Sequence, residues 1–219
     1  MDILLATLLG GLLALDATSV GQFMVSRPLV AGAVVGWALG DPATGITVGA
    51  VLELYLLVSF PTGGSRFPEG ATATVVAVAT AAGSEAAGAL PLAVAVGLVW
   101  GQVGGFSITA LRLLNNRLVP EPGDRFPGPR RVAALHLAAI LLDFARGAAV
   151  TLVGAWIGRA VLTAAGSTWP LSRTGSLGLM LVGAAVSVGI LLRDLGGFRR
   201  RRVLFTGGLA LGILGARLL

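Results

Sequence analysis

Between residues 16 and 53 the chain reads DATSVGQFMVSRPLVAGAVVGWALGDPATGITVGAVLE, setting three acids (Asp16, Asp41, Glu53), Arg27 and Gln22 among glycines and aliphatics. Charges in such surroundings need a reason. An ionised side chain at the centre of a membrane helix costs about 3 kcal/mol or more, so it lines a pathway or has a partner. That the surroundings are membrane follows from composition: 55% of the 219 residues are hydrophobic and 12% charged, against about 25% charged in soluble domains. Mean hydropathy is +0.89. The expected fold class is an all-α polytopic membrane protein.

Other classes fall away on the same grounds. Cysteine is absent, which removes disulfide frameworks, thiolate metal sites and cysteine nucleophiles. The net charge of +6 comes from arginine alone. These arginines gather at the ends of apolar runs, as the positive-inside rule produces, and no nucleic-acid partner is expected. No phosphate loop, HExxH helix or metal-spaced His/Cys set occurs, so neither catalytic residues nor a metal or other cofactor is expected. The start of the chain has Asp2 where a cleaved signal peptide has basic residues, and a retained hydrophobic segment is expected there.

Apolar runs and helix breakers divide one membrane domain over residues 1–219 into about six to eight transmembrane or re-entrant segments. Runs 3–15 and 28–39 are too short to span, since a core of about 30 Å needs about 20 helical residues. Asp41-Pro42 reads as N-cap and first residue of the next helix, 45–60. Residues 61–70, PTGGSRFPEG, are dense in breakers, and runs 71–82 and 86–114 follow. The basic insert 112–131, with five arginines, is expected on the cytoplasmic side. Run 132–162 then crosses, Trp169-Pro170 and Arg173 lie in an outside loop, and 177–192 returns to a second basic cluster within 193–202. Run 203–218 crosses last. Short segments interrupted by Gly and Pro point to a transporter binding site, and two such places, 16–28 and 61–70, flank Glu53.

At these residues the chain resembles the IIC membrane subunit of the mannose/fructose/sorbose family of bacterial phosphotransferase system (PTS) sugar permeases. The matching text is Asp16, Gly21-Gln22, Ser26-Arg27-Pro28-Leu29-Val30, Gly32, Gly36, Gly40-Asp41, Gly45, Gly49 and Leu52-Glu53-Leu54, with a fainter likeness in Leu135-His136, Leu141, Phe144-Ala145-Arg146-Gly147 and residues 178–192. The resemblance implies a permease that carries a sugar inward, in the mannose/fructose/sorbose or amino-sugar class. It implies a transport subunit rather than an enzyme, in the bacterial cytoplasmic (inner) membrane. The implied partners are a IID membrane subunit, cytoplasmic IIA and IIB phosphocarrier proteins, and the lipid bilayer. An elevator-like mobile core moving against a scaffold and a trimeric oligomer are implied in the same way. Residues 58–69 depart from the family's text by adding Arg66 and by ending in Pro68-Glu69, and the chain looks shorter than a typical member. Two other classes stay open: a secondary transporter independent of the phosphorelay, and a non-transporting scaffold or sensor descended from a IIC subunit.

Each residue has a functional and a structural reading. Glu53, with aliphatic neighbours, suits sugar hydroxyls because a charged acceptor makes stronger hydrogen bonds, and its alternative is an ion pair with Arg27 or Arg66. Asp16 and Gln22 are substrate-binding candidates, Asp16 alternatively an N-cap. Arg27 is a further candidate, alternatively one half of a structural elbow with Pro28. Asp41, Arg66 and Glu69 are structural or gating candidates. Spacings of seven and three put His136 with Asp143, and Asp143 with Arg146, along one helix face. The bland reading of that trio is a polar seam packing the helix against a neighbour or IID.

Overall fold

The structure, a computed structural model, describes residues 3–57, 66–119, 128–194, 196, 199 and 201–218. All regular structure among them is helical: α1 (Ile3–Thr18), α2 (Pro28–Ala38), α3 (Pro42–Tyr55), α4 (Gly70–Ala81), α5 (Ala89–Asn115, continued by a 3-10 turn), α6 (Pro129–Ala165), α7 (Arg173–Asp194) and α8 (Arg202–Leu218). Three helices, α5 with its 3-10 turn, α6 and α7, are long and apolar enough to cross a membrane. The others are shorter. Residues 58–65, with the first half of the breaker segment 61–70, the proline-rich insert at 120–127 and part of the second basic cluster lie outside the described residues.

Two expectations need correction. Arg173 does not lie in a loop but opens α7, after a link over 166–172 that holds Trp169 and Pro170. Run 132–162 is longer than its apolar residues suggest, because Pro129 serves as the first turn of α6 and the helix continues to Ala165. At 37 residues α6 is roughly 56 Å long, well beyond a hydrocarbon core of about 30 Å. Arg130 and Arg131 stand on its exposed first turn.

α4 is the centre of the molecule, with every residue from Ala71 to Ala81 buried. Its alanines, valines and threonines are small enough for α5, α6, α1, α2 and α3 all to pack against it. Threonine hydroxyls survive at this depth by donating back along the helix, Thr74 to the Gly70 carbonyl and Thr80 to that of Val76, both at 2.8 Å. α2 and α3 form a tight hairpin on a glycine seam. A Cβ on Gly32 would come within 2.5 Å of the Gly45 carbonyl oxygen and 2.8 Å of the Gly49 Cα. Spacing of small residues by four thus puts the two backbones in contact, as close packing in lipid requires.

Asp41 makes the turn of this hairpin. Its carboxylate accepts the Thr44 N–H at 3.1 Å, capping α3, and the Gly83 N–H at 3.0 Å from the end of α4. The Gly83 bond, with the Thr44 bond behind it, outweighs partial burial and holds the carboxyl below its ordinary range. A folded value below the unfolded one means the ionised form stabilises the fold at neutral pH and that this stability is lost as pH falls through the folded value. Asn caps a helix as Asp does but does not titrate. Asp41→Asn is therefore expected to melt less steeply with acidification below about pH 4, whereas Asp41→Ala is expected to lose about 1 kcal/mol at neutral pH. Thermal melts of purified protein across pH 3 to 7 check both.

Candidate functional site

The chain breaks twice near the centre, once after α1 and once before α4. The first break is built from backbone that reverses hand: Gly21, Gln22 and Met24 have φ of 77°, 52° and 64°. Two of these are not glycine, so the turn needs tethers. Asp16, still on α1, supplies them, accepting the N–H of Phe23 at 2.7 Å and of Ser26 at 2.8 Å, one on each oxygen. The turn ends at Arg27, the N-cap of α2, with Pro28 buried as its first residue.

Arg27 then reaches back to α3. Its Nε donates to Glu53 Oε1 at 2.9 Å and its Nη2 to the same oxygen, while Glu53 Oε2 accepts the Leu29 N–H at 3.3 Å. The pair is partly exposed, at 26% for Arg27 and 19% for Glu53. Of the two arginines weighed as partners for Glu53, Arg27 takes the place. Arg66 instead lies over the Phe106 ring, 5.8 Å from its centroid.

The second break holds the more deeply buried charges. Residues 66–69 are non-helical, and Glu69, in extended backbone, donates its N–H to the Gly101 carbonyl of α5 at 2.8 Å. Gly104 leaves room for this: a Cβ there would sit 2.8 Å from Thr72 Oγ1 and 2.9 Å from Glu69 Cβ. The Glu69 carboxylate turns inward and takes both Arg146 terminal nitrogens, Nη2 at 2.9 Å and Nη1 at 3.1 Å, and the Thr72 hydroxyl at 2.7 Å. Arg146 Nη1 also donates to Ser107 Oγ, and its Nε to Asp143 Oδ1, each at 2.9 Å. Asp143 Oδ2 accepts the hydroxyls of Thr18 and Ser19 at the end of α1. Side-chain exposure is 1% at Glu69, 0% at Asp143 and 8% at Arg146. Buried charges at this depth persist only when paired and hydrogen-bonded, and here every carboxylate oxygen is satisfied.

Between the two breaks lies a cleft of about 90 Å³. Ala17, Ser26, Arg27 and Pro28 wall it on one side, Phe67 to Ala71 on the other, and Leu56 closes it. Among the described residues this puts Arg27 and Glu69 at the cleft. Asp16 and Glu53 stand behind its wall as tethers of the turn and of Arg27, and Gln22 is exposed on the turn itself. Asp143 and Arg146 lie one layer deeper. His136 is exposed, two turns along α6 from Asp143. The lining is a small concavity, mostly apolar, into which Ser26, Arg27 and Glu69 bring the polar groups. Among the described residues no group of His and acid side chains could hold a metal ion.

The meeting of Glu69 with Asp143 and Arg146 is what sequence reasoning missed. They are 74 and 77 residues apart in the chain, and no spacing rule joins them. Charge balance was the available signal: an acid in a break beside apolar runs needs a cation, and Arg146 is among the few arginines inside a run.

Residues 1–195 match a family model described as PTS system sorbose-specific iic component. Over 55 residues, 25% of this chain, there is 40% identity to the PTS system sorbose-specific EIIC component of Lacticaseibacillus casei, of which 20% is covered. The protein of the same description from Klebsiella pneumoniae is 38% identical over 55 residues, 25% of this chain and 21% of that protein. The aligned stretch thus spans about a fifth of these curated relatives. Among solved structures, one described as "Structure of membrane protein" superposes with a TM-score of 0.71 at 18% identity, covering 99% of this chain and 92% of that one. Another, from "CryoEM Structure of Mannose Transporter ManYZ and Microcin E492 (MceA) complex", gives a TM-score of 0.51 at 20% identity with the same coverages. At these identities the structures speak to fold alone.

Proposed function

We propose, for a chain that belongs to the family of PTS sorbose-specific IIC components, that it is the sugar-carrying membrane subunit of a phosphoenolpyruvate-dependent permease. Sugar enters from outside, binds at the cleft between the two chain breaks, and crosses to the cytoplasmic face, where a partner IIB protein phosphorylates it. Phosphorylation then traps the product and makes uptake one-way. The observation that carries this reading is the cleft itself: irregular backbone with Arg27 and Glu69 at its walls, in a chain whose long helices are apolar enough to span. Non-helical backbone at membrane depth is tolerated where it is buried in protein or lines a water-filled cavity.

The surroundings fit a subunit that works in company. Leu137 and Leu141 on α6 and Val203 and Leu204 on α8 are 59%, 67%, 83% and 68% exposed in the isolated chain. Lipid and a IID subunit would cover such surfaces in the inner membrane. The projecting first turn of α6, with Arg130 and Arg131, suits the cytoplasmic side, where arginine is favoured.

The test is sugar uptake driven by phosphoenolpyruvate in cells that carry the IIA, IIB and IID proteins with this chain. Uptake that persists without the phosphocarriers would point to a secondary transporter instead. Within the working system, Glu53→Gln removes the charge that fixes Arg27 at the cleft wall. A loss of about tenfold or more in uptake is expected, since breaking a partly buried charged hydrogen bond costs about 1.5–3 kcal/mol. Unchanged uptake and affinity would remove Glu53 from the site.

A further inference from the structure

The cleft has two walls from distant parts of the chain, and one side chain joins what lies behind them. Ala17 belongs to the first wall and Glu69 to the second. Thr18 and Ser19, next to Ala17, donate to Asp143, which accepts from Arg146 Nε at 2.9 Å, and the other end of the same guanidinium grips both oxygens of Glu69. Ser107 on α5 holds Nη1 in place at 2.9 Å. Asp143 and Arg146 do not line the cleft.

We propose that Arg146 is a positioning residue of the cleft: its planar guanidinium, bonded on one edge to Asp143 and on another to Glu69, sets the distance between the break after α1 and the break before α4. A planar fork with five N–H donors can serve two carboxylates and a hydroxyl in fixed directions, and a lysine ammonium at the same position keeps the charge without the fork. The role does not depend on what the cleft binds, whereas its consequence for sugar rests on the transport reading above.

The chain contains no cysteine, so Ala17→Cys places a single thiol in the first wall. In purified full-length protein the rate of maleimide labelling at that thiol reports how closed the cleft is. Adding Arg146→Lys is expected to raise the rate about fivefold, as local opening becomes easier, and to weaken equilibrium sugar binding about tenfold, as small displacements at a fitted site do. An arginine with a merely structural role would lower the melting temperature and leave labelling of the native protein unchanged. A folded Arg146→Lys protein that labels at the original rate overturns the proposal. If that variant does not fold, Thr18→Val with Ser19→Ala cuts the α1 end of the linkage and keeps every charge. The same acceleration is expected from it, and an unchanged rate is again fatal to the idea. If labelling responds but the unsubstituted chain binds no sugar, the transport reading falls and the positioning role stands.

Discussion

Arg146→Met is expected to make the protein about 3–5 kcal/mol less stable, because removing one partner of a buried ion pair leaves the others charged and uncompensated. Here two carboxylates are stranded. Glu69 is 1% and Asp143 0% exposed, and among the described residues they keep, apart from Arg146, the hydroxyls of Thr72, Thr18 and Ser19. The companion variant Glu69→Gln, Asp143→Asn, Arg146→Met removes all three charges at similar volume. It should recover most of the loss, since well-packed neutral replacements of buried ion networks are often as stable as the original. Unfolding of both variants in detergent, followed by helical circular dichroism, makes the comparison. Equal stability of the single variant and the unsubstituted protein would mean that the cluster is not closed off from water.

The second large effect is expected at Gly45. A Cβ there would meet the Gly32 carbonyl oxygen and come within 2.5 Å of the Gly36 Cα, both backbone atoms that cannot rotate away. Gly45→Leu must therefore separate α2 from α3, and overpacking of this kind costs about 3 kcal/mol at the upper end of its usual range. The damage also reaches the cleft. Arg27 caps α2 and Glu53 sits in α3, so moving one helix off the other breaks their pair. Reduced melting temperature together with lost uptake is the expected result, and Gly45→Ala should show a smaller version of each. A Gly45→Leu protein with normal melting would show that the hairpin is not packed on its glycines.

Some parts of this molecule were readable along the chain because their causes are local. Asp41 before Pro42 is a cap followed by a first helical residue, and both roles need only neighbours within three positions. The glycines at spacings of four between Gly32 and Gly49 announce close packing for the same reason, one face of one helix. Asp143 and Arg146 were placed together by helical spacing alone. Even the break before α4 was visible as a density of Gly and Pro, though not the direction in which it turns.

Other parts were not readable, because they depend on which distant segments meet. Glu53 had two arginines to choose from, Arg66 the nearer along the chain, and only the approach of α2 to α3 decides for Arg27. Glu69 was a structural or gating candidate with no partner named, and its partner Arg146 comes from α6, 77 residues on. Asp16 was weighed as a cap or a ligand, and the reversed turn at Gly21 to Met24 makes it a tether of that turn instead. The amino-acid order determined that this chain is helical, belongs in a membrane, breaks its helices at two places beside Glu53 and carries the text of its family, because apolar content, helix breakers and motif spacing act over a turn or two of chain. Only the tertiary structure decided that the two breaks meet at one cleft and that Arg146 ties them together. A charge buried in apolar surroundings must find its counter-charge wherever packing delivers one, and packing is set by the whole fold.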